Sequence, residues 1–131
     1  MNDSAGLILR IGLGVMFLAH GLQLAFGLFG GPGAEGFSKV LSTMGFTPAI
    51  TWSYLAGYTC VIGGSLLLIG LWVRVAILPL MIFMLVAMIK VHLKNGFFLG
   101  SGGYEYNFII IIALIALFMI GPGKYGITKK I

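Results

Sequence analysis

The sequence predicts an all-α membrane protein, a bundle of four spanning helices with a short interfacial helix between the first and the second. Composition is the first reason, because 60% of the 131 residues are hydrophobic and only 8% are charged. The mean hydropathy is +1.10. A soluble domain is usually about a quarter charged, and a small soluble fold leaves too much surface exposed to hide so many apolar side chains. These values exclude a disordered tail, a disulfide scaffold and a conventional soluble enzyme.

Four long apolar stretches are the second reason, and they form a single domain over residues 1–131. We expect helices at about residues 6–29, 51–72, 74–93 and 105–121. A spanning helix needs roughly 20 apolar residues. The first two stretches satisfy this length outright, whereas the last two depend on flanking charged and aromatic residues that reach the membrane interface. Pro79 predicts a kink in the third helix, of a kind that neighbouring helices accommodate.

Aromatic residues at the segment ends are the third reason, since such residues form belts at the membrane interface; they are Trp52, Trp72, Tyr104, Tyr106 and Tyr125. The glycine-rich run 30–33 ends the first helix. Beyond it, apolar residues at spacings of three and four predict the short interfacial helix: Phe37, Val40, Leu41 and Met44. Residues 95–104 form a glycine-rich loop, and Gly121-Pro122-Gly123 ends the fourth helix.

The charge pattern indicates topology rather than nucleic-acid binding. Eight Lys and Arg residues oppose three Asp and Glu, for a net charge of +5, and nearly all of the basic residues stand singly between apolar runs. Such residues contact lipid headgroups and set orientation. Four spans place both termini on one side, and five basic residues lie there: Arg10, Arg74, Lys124, Lys129 and Lys130. The positive-inside rule therefore predicts cytoplasmic termini.

Six polar side chains in or beside the spans are the candidate ligand-binding residues: His20, Gln23, Cys60, Lys90, His92 and Glu105. Because successive helices alternate in direction, all six lie toward the membrane face opposite the termini. Ionisable groups inside a membrane are costly and are functional candidates by default. No catalytic residue is assigned, and no metal site is predicted. Gly12 and Gly14 follow no strand, and we interpret them as helix-packing positions rather than a nucleotide-binding motif.

Each candidate also has a structural interpretation that the sequence leaves open. His20 and Gln23 share a helix face and can form an interhelical hydrogen bond. Glu105 can pair with Lys90 or Lys94, which contributes little at an exposed site. Cys60, the single cysteine of the chain, can act as a small buried hydrophobic residue.

Taken in order along nearly the whole chain, these residues resemble the DoxX family of small four-helix membrane proteins. The resemblance rests on Arg10-Ile-Gly-Leu-Gly14, His20-Gly21, Gly27-Leu-Phe-Gly-Gly31, Gly63-Gly64-Ser-Leu-Leu-Leu-Ile-Gly70-Leu with Arg74, His92 with Gly96-Phe97-Phe98, Tyr104-Glu105-Tyr106 and Gly121-Pro122-Gly123. It implies a redox setting, since the family's namesakes are associated with a thiosulfate:quinone oxidoreductase. Two positions depart from the family pattern: Leu24 stands where members often carry lysine, and Cys60 where they often carry glutamate.

The resemblance implies a multi-pass protein of a prokaryotic plasma membrane, whose partners are the lipid bilayer and either other membrane subunits or further copies of the chain. We expect an accessory subunit of a larger membrane redox or electron-transfer complex, without catalysis of its own. The alternative is an independent oxidoreductase component that binds a quinone or a small sulfur compound in the outer half of the bundle. A third hypothesis is ligation of a tetrapyrrole by histidine. A cavity that reaches His20 favours ligand binding, whereas solid packing there favours an accessory subunit.

Overall fold

A computed structural model describes residues 3–98 and 103–127, and within those residues the chain is helical with irregular connections. The five α-helices are α1 (Asp3–Phe26), α2 (Gly33–Thr43), α3 (Ala49–Ile69), α4 (Val73–Ala87) and α5 (Glu105–Ile120). A short 3-10 turn, Leu28–Gly30, precedes α2, and α4 continues into a π-helical turn, Met88–His92, and a 3-10 turn, Leu93–Asn95. The predicted fold class, an all-α membrane protein with a short helix between the first two spans, is confirmed.

Three helical segments of the described chain are long and apolar enough to cross a membrane: Ser4–Phe26, Ala49–Ile69 and Val73–Lys90. The fourth apolar helix, α5, has 16 residues and is about 24 Å long, which is shorter than the roughly 30 Å hydrocarbon core. α1 ends at Phe26, before the expected end near residue 29, because Gly27 adopts a left-handed conformation with φ 72°. Such a glycine is a common helix terminator.

The four long helices form a ring in which α1 packs on α3, α3 on α4, α4 on α5 and α5 back on α1. α2 packs on α3 and α1, and the buried Ser53 hydroxyl on α3 donates a hydrogen bond to the Ala34 carbonyl at 2.6 Å. The interior of the ring is filled by buried side chains: Leu13, Phe17, Cys60, Leu67, Val73, Ala76, Ile77, Leu80, Met84, Leu114 and Leu117. α2 therefore covers the end of the bundle opposite the termini.

Close approach of backbones holds α1 against α3. A Cβ atom at Gly21 would lie 2.6 Å from the Val61 nitrogen, and one at Gly64 would lie 2.6 Å from the Leu18 nitrogen. Small residues at such crossings let membrane helices gain van der Waals contact along their backbones. The packing role predicted for Gly14 is confirmed, because a Cβ there would lie 2.9 Å from the Gly64 carbonyl oxygen. Gly12 does not share that role within residues 3–98 and 103–127, since a Cβ there would meet nothing of them within 4 Å.

Two arginines tie helix ends together where α1 begins and α5 ends. Arg10 is 1% exposed, and its Nη1 donates to the Leu67 carbonyl in the last turn of α3 at 3.1 Å. Arg74 donates from Nε to the Phe118 carbonyl at 2.7 Å, in the last turn of α5. The last carbonyls of a helix lack intrahelical partners and carry negative partial charge, so a cation placed there stabilises the helix.

Candidate functional site

A cavity of about 570 Å³ lies at the end of the bundle opposite the chain termini. Its walls come from all five helices and from the segments beside them. α1 and α5 supply Met16, Phe17, His20, Leu24, Tyr106 and Asn107; α2 and the segment after it supply Phe37, Val40, Leu41, Met44 and Phe46. α3 supplies Trp52, Leu55, Ala56 and Thr59, and α4 and its π-helical turn supply Pro79, Ile82, Phe83, Met84, Val86, Ala87 and Lys90. Most of this lining is aliphatic, aromatic or methionine, which is typical of a site for an apolar small molecule.

A small polar cluster joins α1 to α5 at one wall of this cavity. The Tyr106 hydroxyl donates to the Met16 sulfur at 2.8 Å and lies 3.3 Å from Nε2 of His20. The two rings are tilted by 40°, with their centroids 6.3 Å apart. α1 and α5 run antiparallel, and Gly6 lies against Ile120 at the opposite end of the pair. The interval from Gly6 to His20 equals the interval from Tyr106 to Ile120, so the same register brings His20 to Tyr106.

Asn107 adds a buried acceptor to the same wall. Its side chain is 2% exposed, and its Oδ1 has no hydrogen-bond partner among residues 3–98 and 103–127. A buried acceptor without a partner costs about 1–3 kcal/mol. The cavity lining therefore contains an O–H in Tyr106 and an imidazole in His20, and the next residue of α5, Asn107, holds a buried acceptor beside them.

The structure brings two of the six predicted site residues to the cavity, His20 and Lys90. The Lys90 ammonium lies 6.0 Å from the centroid of the Phe46 ring, which also lines the cavity. A cation over an aromatic face is attracted by the ring quadrupole. Lys90 is exposed, so it lies at the rim of the cavity rather than in the buried interior of the bundle.

The other predicted residues lie elsewhere. Gln23 donates from Nε2 to the Phe29 carbonyl at 3.4 Å, so it braces the turn after α1. Cys60 is 0% exposed and belongs to the packed interior of the ring. Glu105 begins α5, where its backbone N–H donates to the Phe97 carbonyl at 2.7 Å. The side chain of His92 lies outside the described residues.

Sequence reasoning missed Tyr106 and Asn107. The sequence places Tyr106 in the aromatic belt and gives Asn107 no role. A signal is present, because Asn107 is a polar residue in the first turn of a helix that is apolar from Phe108 onward, and polar residues within apolar helices are functional candidates. Met16 and Thr59 also line the cavity, but nothing in their sequence context separates them from ordinary packing positions.

Fold and site together define an integral membrane helical protein with an apolar cavity and a localised polar cluster at one wall. The model of the DoxX family matches residues 5–93, and the chain belongs to that family. The match covers α1 to α4 and includes His20 and Lys90, whereas Tyr106 and Asn107 lie beyond it.

The chain is also similar to Uncharacterized membrane protein Rv3486 of Mycobacterium tuberculosis. The two are 29% identical over 134 residues, which cover 94% of this chain and 78% of the relative. No solved structure matches the chain.

Proposed function

We propose that this protein binds a quinone-type molecule in the cavity, with the ring of the quinone against the wall formed by His20, Tyr106 and Asn107. One observation carries the proposal: the cavity is apolar over most of its surface, and the Tyr106 hydroxyl lies 3.3 Å from the His20 imidazole where α1 meets α5. A quinone matches this arrangement, because it is a flat apolar ring with carbonyl oxygens at its edge. Leu24 and Cys60 fit the proposal as well, since neither brings a charge to this part of the bundle.

The polar groups can serve both redox states of such a ring. The Tyr106 O–H can turn from the Met16 sulfur, a weak acceptor, to a quinone carbonyl, and His20 supplies a second donor when Nε2 is protonated. Asn107 Oδ1 is an acceptor, and a hydroquinone hydroxyl supplies the donor that it lacks. Sulfur–aromatic contacts from Met16 and Met84 add to the binding of a ring by about 0.3–1.5 kcal/mol each.

A small sulfur anion is a poorer match. Burying an unpaired anion in an apolar cavity is costly, and Lys90, the cation in the lining, sits over Phe46 at the interface. A neutral ring needs no such counter-charge.

Tryptophan fluorescence provides a direct test, because Trp52 lines the cavity and Trp72 is the one other tryptophan in the chain. The protein would be reconstituted in nanodiscs and titrated with a naphthoquinone. We expect saturable quenching that disappears in Trp52→Phe, where Trp72 alone reports unspecific quenching from the bilayer. Quenching that is linear in quinone, and equal in wild type and Trp52→Phe, would contradict the proposal.

Removal of the tyrosine hydroxyl locates the ring within the cavity. Tyr106→Phe should weaken binding about two- to tenfold, the value of one hydrogen bond. Tyr54→Phe is the matched control, because Tyr54 lies exposed on α3 outside the cavity lining. Equal affinities in the two variants would place the ring away from the α1–α5 wall.

The accessory-subunit function is a second proposal, and the departures at Leu24 and Cys60 favour it, since relatives often carry a charged pair there. It is compatible with quinone binding, because a subunit can hold the quinone while a partner performs the electron transfer. Purification from native membranes in mild detergent tests it, with mass spectrometry and an absorbance spectrum of one fraction. A stoichiometric larger partner supports it, a colourless protein that migrates alone contradicts it, and pigment bands would instead favour tetrapyrrole ligation.

A further inference from the structure

A groove of about 270 Å³ lies on the outer surface of the bundle between α3 and α4. Its lining is apolar apart from Thr59 and the Tyr58 hydroxyl, and small residues, Gly63 and Ala76, form part of it. Several of its walls are surface-exposed side chains, among them Ile62 and Val75. In a membrane this groove faces the hydrocarbon of the bilayer.

The groove adjoins the cavity. Leu55 and Thr59 on α3 and Pro79 on α4 line both of them. On α3 the combined lining follows the helical repeat along one face: Trp52, Leu55, Thr59, Ile62 and Leu66. On α4 it does the same: Val75, Pro79, Ile82 and Val86. Spacings of three and four place such residues in one line along a helix, so on each helix the lining of the groove continues the lining of the cavity.

We propose that the groove between α3 and α4 is the exit for an apolar tail, so that the ligand is a membrane-resident molecule with a polar ring and a long hydrocarbon chain. This inference rests on the proposed function, because it takes the ring to lie at the His20–Tyr106–Asn107 wall. The tail then leaves between Thr59 and Pro79 and follows α3 from Leu55 to Leu66, a distance of about 16 Å. The ligand enters sideways from the lipid and not from water.

The distribution of polar groups supports this direction. The Tyr106 hydroxyl and the His20 imidazole lie on α5 and α1, which do not line the groove, whereas the groove lining is apolar apart from Thr59 and the Tyr58 hydroxyl. A tail in the groove keeps its contact with hydrocarbon on one side, so binding does not require it to leave an apolar environment. Lipid tails are as apolar as leucine, and the groove therefore adds little affinity; its effect is to let the ring reach the wall.

Two substitutions that fill the groove test the proposal. Val75→Trp and Ile62→Trp place a large side chain in the groove at positions that are 49% and 58% exposed, so the fold has room for them. Leu78→Trp and Ile69→Trp are matched controls on the same helices. These positions are 55% and 47% exposed and line neither the cavity nor the groove.

The probes are a naphthoquinone with a long isoprenoid tail and the same naphthoquinone with a methyl group in place of the tail. Binding of each probe is measured by quenching of Trp52, after subtraction of the quenching in the same variant with Trp52→Phe added. We expect Val75→Trp and Ile62→Trp to lose affinity for the tailed probe about tenfold or more, since overpacking a filled site typically costs 1–3 kcal/mol. Affinity for the tailless probe should not change. Both controls should bind both probes as wild type does.

Unchanged affinity of Val75→Trp for the tailed probe would overturn the tail exit while leaving the ring site in place. Equal loss of both probes in Val75→Trp, with Leu78→Trp unaffected, would also overturn it, because the groove would then act on the ring site itself. The proposed function fails in a different way: wild type would show no saturable quenching with either probe.

Discussion

The two ends of the bundle differ in what their buried polar groups contact. Where α1 begins and α5 ends, Arg10 and Arg74 donate to carbonyls in the last turns of α3 and α5, although Nε of Arg10 has no partner among the described residues. At the other end, Asn107 is buried beside a cavity and its Oδ1 lacks a partner among the described residues. The first arrangement uses polarity to join helices. The second leaves a hydrogen-bonding group available, which is how a protein prepares a binding site at a cost in stability.

The largest loss of stability is expected from Gly70→Ala, at the terminal end. Gly70 has a φ of 76°, and a Cβ atom there would collide with the Arg10 guanidinium and with Gly126. The left-handed conformation and the overpacking together should cost about 3 kcal/mol or more. Thermal unfolding in detergent, followed by circular dichroism, measures the loss.

Gly12→Ala is the control for that experiment, because Gly12 is helical and a Cβ there would meet nothing within 4 Å in the part of the chain that the structure describes. Alanine is the better helix former, so this variant should unfold at the same temperature as wild type or slightly higher. Equal unfolding temperatures for Gly70→Ala and Gly12→Ala would show that the terminal end is not packed as described.

Arg10→Met should have the next largest effect. Methionine fills much of the space of the aliphatic part of arginine, but it leaves the Leu67 carbonyl without its donor. We expect a loss of about 2 kcal/mol in the free energy of unfolding, typical of a hydrogen bond from a charged group. Lys39→Met, at an exposed position on α2, should change stability by less than about 0.5 kcal/mol. A similar result for the two variants would remove Arg10 from the packing at this end.

Arg74→Met should cost less, about 1 kcal/mol, although it removes two donors from the last turn of α5. Arg74 is only partly buried, and a cation at a partly exposed helix C-terminus contributes about 0.3–1 kcal/mol. The same unfolding assay should rank Arg10→Met below Arg74→Met in stability. The reverse order would mean that capping of α5 matters more than the buried contact to α3.

The sequence was sufficient for the fold, because apolar stretches and their breaks are local properties. It placed the short helix before α3 from the spacing of Phe37, Val40, Leu41 and Met44. It does not reveal that Arg10 and Arg74 bind helix ends, since their acceptors lie 57 and 44 residues away along the chain.

The cavity was also beyond the sequence, for a related reason. His20 was found because a histidine within an apolar run is conspicuous by itself. Its contact with Tyr106 depends on the register between α1 and α5, which close packing of the whole ring determines. Gln23 and Cys60 show the converse, since an intramembrane polar residue can equally brace a turn or fill a core.

The smallest change in stability is expected from Asn107→Leu, and it distinguishes the two ends most sharply. Because Oδ1 lacks a partner among the described residues, an apolar side chain of similar size removes the cost of burying it. The replacement leaves none of those residues with a donor that has lost its acceptor. The free energy of unfolding should stay the same or rise by up to about 1 kcal/mol, while quinone binding weakens. Leu114→Ala, on the same helix, is the control that shows the assay detects a core loss of about 2–5 kcal/mol.

The combination of the two readouts gives this variant its value. A residue that serves only the fold loses stability and ligand binding together when it is replaced. Replacement of a residue that serves a ligand weakens ligand binding alone. It also removes a desolvation cost that the unliganded protein carries. If Asn107→Leu unfolds more easily than wild type, then Asn107 belongs with Arg10 and Arg74 as a structural polar residue, and the contrast between the two ends of the bundle disappears.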